Sequence, residues 1–321
     1  MKRNITTYPR APPFPVWFQI IKITNQTEEF KMAKTKVTIT IYGQETNLNS
    51  IKNAYTHAGV FHADEVCTTA LLFILGYEGN INRIFNNEVP DLPEGSFIFD
   101  IGGGEFDHHV KDKLQFHDDG CPKAAFSLVS EAIRIDGMTL EEVYPGFTEL
   151  IAKPIDARDN GYTSDDIKSS YFAEVVNPFN SLWDHDYETS TKQFWIATQM
   201  VSVILRRMLE KLASKKMAKD KVRSADVFDG VMVLDQFVPW QDHIDDDILA
   251  CAFPSDRGGW NIQLAPVKLG SFETKAEFQF NDFQKGVVTF VHPNGFLCAC
   301  NKKEDVYKLI SAVKKKETIS E

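Results

Sequence analysis

The sequence predicts an α/β protein in two parts: a parallel sheet flanked by helices over residues 36–218, then a smaller α/β domain over residues 226–313. Three observations predict it. The chain has 321 residues, and roughly 100–200 residues make one domain. Between residues 36 and 135 the patterns run strand, helix, strand, strand, helix, the order that builds a parallel sheet because parallel neighbours need crossover connections. Beyond residue 226 short strand-like runs dominate, closed by one helix.

Residues 36–42 alternate and are rich in Val, Ile and Thr, which reads as a strand. Residues 54–56 are a short apolar entry to a loop holding glycine and histidine. Residues 63–75 place Val66, Ala70, Leu71 and Ile74 at helical spacing, so a helix begins near His62–Asp64. Residues 81–85 and 97–99 read as buried strands, the second ending in Asp100 and a glycine triplet. A helix is expected over 124–135, stopped by Gly137. Another runs from Phe147 to Asp159 into an Asn160-Gly161 turn. The longest helical pattern covers 189–218. Strands are expected at 231–234, 249–253, 260–265, 286–290 and 296–300, with a helix at 304–313. Pro9, Pro12, Pro13 and Pro15 break any helix near the start, and Met32 reads as a natural start. Residues 1–31 are therefore expected to be a flexible N-terminal extension.

Composition narrows the function. Lys plus Arg number 35 against 45 Asp plus Glu, a net charge of −10, which excludes a chain built to coat long DNA by charge alone. A nucleotide can still be held through bound cations. No apolar run reaches the roughly 18 residues that span a bilayer, so no membrane partner is expected. Five scattered cysteines argue against a disulfide framework and for a reducing, cytoplasmic compartment. No signature of an oligomeric state stands out. The helix at 189–218 and its continuation carry Arg206, Arg207, Lys211, Lys215, Lys216, Lys219, Lys221 and Arg223, either a solvated face or a nucleic-acid rail.

Five of the eight histidines fall between residues 57 and 117: His57, His62, His108, His109 and His117. The first two stand in the spacing H-x4-H-x-D-E with Asp64 and Glu65, at a strand-to-helix junction. Asp100 ends a strand, Asp107 precedes His108 and His109, and Asp156 and Asp159 stand near a helix end. Such loops at the carboxyl ends of parallel strands are where these sheets bind ligands. Any one piece is more often a turn or a structural histidine. Together they offer several carboxylates and imidazoles, a donor mix that suits Mn²⁺, Mg²⁺, Fe²⁺ or Co²⁺ better than structural zinc. Two ions roughly 3.5–4 Å apart, bridged by a carboxylate, are what two-metal phosphoryl chemistry uses. Glu65 and Asp107 are candidate hydrogen-bond partners for the histidine ligands.

At these residues the sequence resembles the DHH phosphoesterase superfamily and, more narrowly, the MYG1 (UPF0160) family. The pattern H-x-G-x-F-H-x-D-E stands at His57–Glu65, D-V-G-G at Asp100–Gly103 with Ile101, D-H-H at Asp107–His109 and D-A-x-D-N-G at Asp156–Gly161. The likeness continues through Pro239-Trp240, Trp260–Gln263 and Phe290–Phe296. The resemblance implies a DHH-type parallel sheet and a metal-dependent hydrolase, a phosphodiesterase or 3′–5′ exonuclease on RNA or short oligonucleotides. It implies two divalent ions, Mn²⁺ foremost, with Mg²⁺ or Co²⁺ as substitutes. Carried over residue by residue, His57, His62, Asp64, Asp100, His108 and Asp156 are the metal ligands, with Asp159 competing for the last place. His109 is the general acid or phosphate contact, with Asp107 beside it in the catalytic set. His292 and Gly295 are substrate contacts from the second domain; apart from the resemblance, Lys123 is a further candidate for gripping the terminal nucleotides. The chain departs from the family at Ala58 (usually Asn), Val110 (usually Gln) and Phe85-Asn86-Asn87 (usually Thr-Arg-Asp), all in the substrate-contacting surface. Two other readings stand beside the exonuclease: hydrolysis of a pyrophosphate or dinucleotide, and a metal-binding regulator without catalysis.

Overall fold

The computed structural model describes residues 35–316 except 94–95, 165–166, 168–169, 181 and 184–186, and the backbone alone at 187–188. The expected N-terminal extension, 1–31, lies outside the described residues. Packing divides the chain into two units, one ending at Leu209 and one starting at Glu210.

In chain order the first unit holds β1 (Val37–Ile41), β2 (Gln44–Asn47), β3 (Asn53–His57), α1 (Ala63–Ile74), β4 (Asn80–Ile84), β5 (Phe97–Ile98), α2 (Ala125–Ala132), β6 (Ile133–Ile135), α3 (Leu140–Val143), α4 (Lys153–Asp159), α5 (Tyr171–Val176) and the first part of α6 (Tyr187–Arg223), whose residues from Glu210 on belong to the second unit. The parallel sheet is present: β3 lies between β4 and β5 and runs parallel to both. The crossover between β3 and β4 is α1. Eleven of its twelve residues are buried, so Asp64 and Glu65 are carried into the interior on a helix whose other residues are apolar but for Thr68 and Thr69.

Two expectations are corrected here. The strand near residues 36–42 does not join the parallel sheet. It forms a hairpin with β2 through Tyr42-Gly43, both left-handed (φ 47° and 77°), as a two-residue hairpin loop requires. The helix expected to reach Ile135 ends at Ala132. Ile133-Arg134-Ile135 alternates, and its two isoleucines are buried opposite Ile39 and Val37 as β6, antiparallel to β1. Pairing with a strand roughly a hundred residues earlier overrides the local helical pattern.

The second unit adds β7 (Asp226–Phe228), β8 (Val231–Val233), β9 (Ala250–Pro254), β10 (Trp260–Leu264), β11 (Ala276–Phe278), α7 (Asp282–Lys285), β12 (Val288–Val291), β13 (Leu297–Cys300), α8 (Lys303–Leu309) and β14 (Val313–Lys315). Six strands form one mixed sheet, β12-β13-β10-β9-β8-β7, in which β8 and β9 alone are parallel. Side chains alternate across it. Val231, Ala250, Ile262 and Cys298 pack with Val306 and Leu309 of α8 in one core. Met232, Cys251 and Phe253 pack with Trp240 and with Ala218 and Val222 of α6 in another. The closing helix is shorter than the expected 304–313: it stops at Leu309, and Val313 pairs with Phe278 across the β11–β14 ladder. Among the described residues no helix is long and apolar enough to cross a membrane.

Candidate metal centre

The carboxyl ends of β3 and β5, the amino end of α1 and the last turn of α4 deliver one group of side chains. His57 is the last residue of β3, and the loop after it is held from several sides. Ala58 N–H donates to Ile84 O (2.7 Å). Arg83 reaches back from β4 to His57 O (3.2 Å) and Gly59 O (2.7 Å), with its guanidinium over the ring of Phe194 at 4.6 Å. Ser190 Oγ also donates to Gly59 O (2.8 Å), and the Asn180 amide pairs with both backbone groups of Phe61. At the start of α1, His62 N–H donates to the Glu65 carboxylate (2.9 and 3.0 Å). Asp100 follows β5 in the left-handed region (φ 61°), which Asp tolerates better than most residues, and Gly102 and Gly103 continue the turn at φ 88° and 70°.

These groups converge. His57 Nε2 lies 2.9 Å from Glu65 Oε1 and 3.1 Å from Asp100 Oδ2. His108 Nδ1 lies 3.3 Å from Asp100 Oδ1 and 3.9 Å from Asp64 Oδ2, and its Nε2 is 2.9 Å from Asp159 Oδ2. His62 Nδ1 is 3.8 Å from Asp159 Oδ1. Ligand atoms fall within 4.8 Å of one another in overlapping sets: His57, His62 and Glu65; His62, Asp64 and Asp159; Asp64, Glu65 and Asp100; and Asp100, Asp107, His108 and His109. Asp64, Asp100, His62 and Glu65 each belong to two sets.

Burial makes this arrangement costly without a cation. Burial raises the Asp64 carboxyl well above its usual range, and repulsion from Asp100, Asp159 and Glu65 adds to it. Burial raises Asp100 as well, against the pull of His57. Burial also opposes ionisation of Glu65 and Asp159, but His57 and His108 respectively outweigh it and hold both below the usual carboxylate range. Burial disfavours a charged His57, yet Asp100 and Glu65 raise it to about 11. Both oxygens of Asp64, both of Asp100 and Nδ1 of His108 are buried without a hydrogen-bond partner, a state that ordinarily costs about 1–3 kcal/mol per group. Buried oxygen donors mixed with imidazole nitrogens, left unpaired and facing one another, fit divalent cations of the Mn²⁺, Mg²⁺ or Co²⁺ kind. His57, His62, Asp64, Asp100, His108 and Asp159 would hold them. His57 Nδ1 contacts Ala58 O (3.2 Å); a carbonyl only accepts, so Nδ1 keeps its proton, and Nε2 would ligate once a cation displaces the proton that Glu65 and Asp100 hold there.

The other sequence candidates take different places. Asp107 accepts from His109 Nδ1 (2.8 Å), His109 N–H (3.0 Å) and Gly103 N–H (2.6 Å). Burial opposes these bonds, but they win and hold its carboxyl near about 2. His109 stands at the rim, its side chain 59% exposed. Asp156 is fully buried and turns to His117 Nε2 at 2.7 Å; it is in none of the converging sets. Lys123 is ion-paired with Glu131 at 2.8 Å. His292 and Gly295 belong to the β12–β13 turn of the second unit, where the His292 ring packs on Phe296 at 4.4 Å between centroids. Glu65 is closer to the centre than its sequence reading as a supporting partner, and its place at the first turn of a buried helix was the available signal. His117 carried no motif at all.

The family model of the uncharacterised protein family UPF0160, the MYG1 proteins, matches residues 53–313. The MYG1 protein of Saccharomyces cerevisiae is 21% identical over 327 residues, taking in 82% of this chain and 96% of its own. That of Dictyostelium discoideum is 22% identical over 315 residues, 81% of this chain and 94% of its own. That of Chlamydia muridarum is 25% identical over 195 residues, 59% of this chain and 65% of its own. Among solved structures, the chain is similar to a pGpG-specific phosphodiesterase, PggH, from Vibrio cholerae at 12% identity and a TM-score of 0.28, over 81% of this chain and 97% of that one. It is similar to RecJ in complex with Mg²⁺ from Thermus thermophilus at 13% identity and a TM-score of 0.26, over 83% and 49%. The family match spans every converging ligand from His57 to Asp159 and runs on through the second unit, and the chain belongs to the MYG1 family, UPF0160.

Proposed function

We propose that this chain is a metal-dependent phosphoesterase that hydrolyses phosphodiesters of RNA or short oligonucleotides from the 3′ end, with two Mn²⁺ ions or, in their place, Mg²⁺ or Co²⁺. The observation that carries the reading is the pair of buried, unpartnered carboxylates, Asp64 and Asp100, ringed by His57, His62, His108 and Asp159. When bound, such ions activate water and steady the leaving oxygen of a phosphoryl displacement.

The chain's own groups then have separable tasks. Asp64, Asp100, His57, His62, His108 and Asp159 bind and space the cations. Asp107 fixes His109 by its Nδ1, so that Nε2 faces outward, where it can hand a proton to the departing oxygen. An open cavity of about 590 Å³, lined by Tyr42, Gly102, Gly103, Asp107, Lys113 and Gln115, offers the substrate room beside the carboxylate that holds His109. Lys123, His292 and Gly295 are proposed as contacts to the substrate's phosphates. The five unpaired thiols agree with a cytoplasmic setting. The net charge of −10 favours a short substrate over long RNA.

The test offers purified protein, with Mn²⁺, a 5′-labelled RNA, the matching DNA, dinucleotides and pyrophosphate in parallel. Shortening of RNA or cleavage of dinucleotides, lost with EDTA, supports the reading. Turnover of pyrophosphate alone would replace it with small-molecule hydrolysis, and no turnover with Mn²⁺ bound would leave a metal-binding regulator.

A further inference from the structure

We propose that His117 is a positioning residue for the metal centre: by holding Asp156 inside the fold it sets the end of α4 so that Asp159, and not Asp156, faces the cations. This rests on the metal-centre reading above.

Asp156 and Asp159 stand three residues apart on a helix of seven. At 3.6 residues per turn their directions differ by only about 60°, so a modest rotation of α4 would exchange one carboxylate for the other. The structure chooses between them. Asp159 comes within 2.9 Å of His108 and 3.8 Å of His62. Asp156 is fully buried, with Oδ2 2.7 Å from His117 Nε2, and His117 is itself more than nine-tenths buried.

The loop that carries His117 is built to hold that position. His117 N–H donates to Cys121 O (2.9 Å), Gly120 N–H returns to His117 O (2.9 Å), and Lys123 N–H donates to Gln115 O (2.8 Å). The same loop grips α4 near both ends. Lys153, the first residue of the helix, reaches Asp119 Oδ2 (3.0 Å), and Asn160, just past the last, donates from Nδ2 to Pro122 O (3.3 Å). His117 meets the helix between Lys153 and Asn160 and supplies a donor to Oδ2 of the buried Asp156, whose Oδ1 has no hydrogen-bond partner. Without it, Asp156 would keep its burial and lose its partner, and the nearest relief for a buried anion is the cation site one step round the helix.

The test measures Mn²⁺ affinity of the full chain by the electron paramagnetic resonance signal of the free ion, with thermal unfolding in EDTA as a second readout. Asp159→Asn is expected to lose affinity more than about 100-fold. Asp156→Asn keeps an oxygen for His117 to donate to and is expected to stay within about threefold of wild type. His117→Ala is expected to weaken binding about 10–100-fold, the usual effect of removing a group that orients ligands. His117→Gln, which restores a donor near the Nε2 position, recovers most of it. If Asp156→Asn loses Mn²⁺ and Asp159→Asn does not, Asp156 is the ligand and the proposal falls. It falls equally if His117→Ala lowers the melting temperature while Mn²⁺ affinity is unchanged, because the role is then purely structural. Should the wild-type chain bind no Mn²⁺, the metal-centre reading fails and the proposal goes with it.

Discussion

Asp100 Oδ2 lies 3.1 Å from His57 Nε2, yet neither oxygen of Asp100 has a hydrogen-bond partner. The two groups are close without the alignment that a hydrogen bond requires. Carboxylate oxygens left unpaired beside an imidazole in this way border a shared space, and a divalent cation would fit it.

Asp100→Asn should therefore separate folding from metal binding. Asn tolerates the left-handed backbone at this position as Asp does, and the change removes one of the buried charges that repel one another across Asp64 and Glu65. The metal-free variant is expected to melt about 2–4 °C higher, corresponding to about 1 kcal/mol, while Mn²⁺ affinity falls at least about 100-fold. Calorimetric titration with Mn²⁺ and a melting curve in EDTA check both halves.

Adding Mn²⁺ to the wild-type chain should stabilise it by mass action. At about 100 times the dissociation constant the gain is about 2.7 kcal/mol, or roughly 5–10 °C in melting temperature. EDTA should reverse it, and Asp100→Asn should not show it. A melting temperature indifferent to Mn²⁺, Mg²⁺ and Co²⁺ alike would contradict the centre.

Arg83→Lys is expected to be severe although it keeps the charge. Lysine cannot reach His57 O and Gly59 O with one planar fork, nor lie over Phe194 and Phe61 as the guanidinium does at 4.6 and 5.4 Å. A loss of about 2–3 kcal/mol in stability is expected. Metal affinity should drop too, because the loop joining His57 to His62 loses its anchor. Urea unfolding with and without Mn²⁺ measures the two effects.

All five cysteines are free and buried. Burial pushes the Cys298 thiol up to about 12 and those of Cys121 and Cys300 to about 11, so at neutral pH none is the reactive thiolate. A thiol reagent should label none of them at the rate of a free thiol until the chain unfolds. Cys67→Ala and Cys121→Ala should keep Mn²⁺ binding. Rapid inactivation of folded protein by such a reagent would place a reactive sulfur near the centre.

The basic stretch of α6 is expected to be solvated surface. Lys215 is committed to Asp242 at 2.7 Å, and Lys211, Lys219 and Lys221 are exposed. Reversing those three to Glu should change binding of a long oligonucleotide and cleavage of a dinucleotide alike, each by less than roughly threefold. A loss confined to the long substrate, with the salt dependence of its affinity flattened by about two logarithmic units per unit of log salt, would make this helix a nucleic-acid rail.

The parallel sheet and α1 were legible because apolar spacing and strand-end loops are local signals. The converging histidines and carboxylates were legible for the same reason: His57, His62 and Asp64 fall within eight residues, and Asp107 directly precedes His108. What was not legible depends on distant partners. Ile133–Ile135 reads as the end of a helix until Val37 and Ile39 are known to lie opposite. Asp156 and Asp159 share nearly one helix face, and what separates them lies far away in sequence: His117 beside Asp156, His62 and His108 beside Asp159.

The left-handed turn at Asp100 also bears on how this position can drift. From an Asp codon, one base change reaches Asn, Gly, Glu, Ala, Val, His or Tyr. Asn and Gly accept the backbone but give up the charge, whereas Glu keeps the charge on a longer stem and strains the turn. No single step preserves both properties. If Asp100 serves the proposed metal centre, a single base change at this codon therefore costs either the turn or the charge, and a lineage that loses the aspartate is expected to lose metal binding with it.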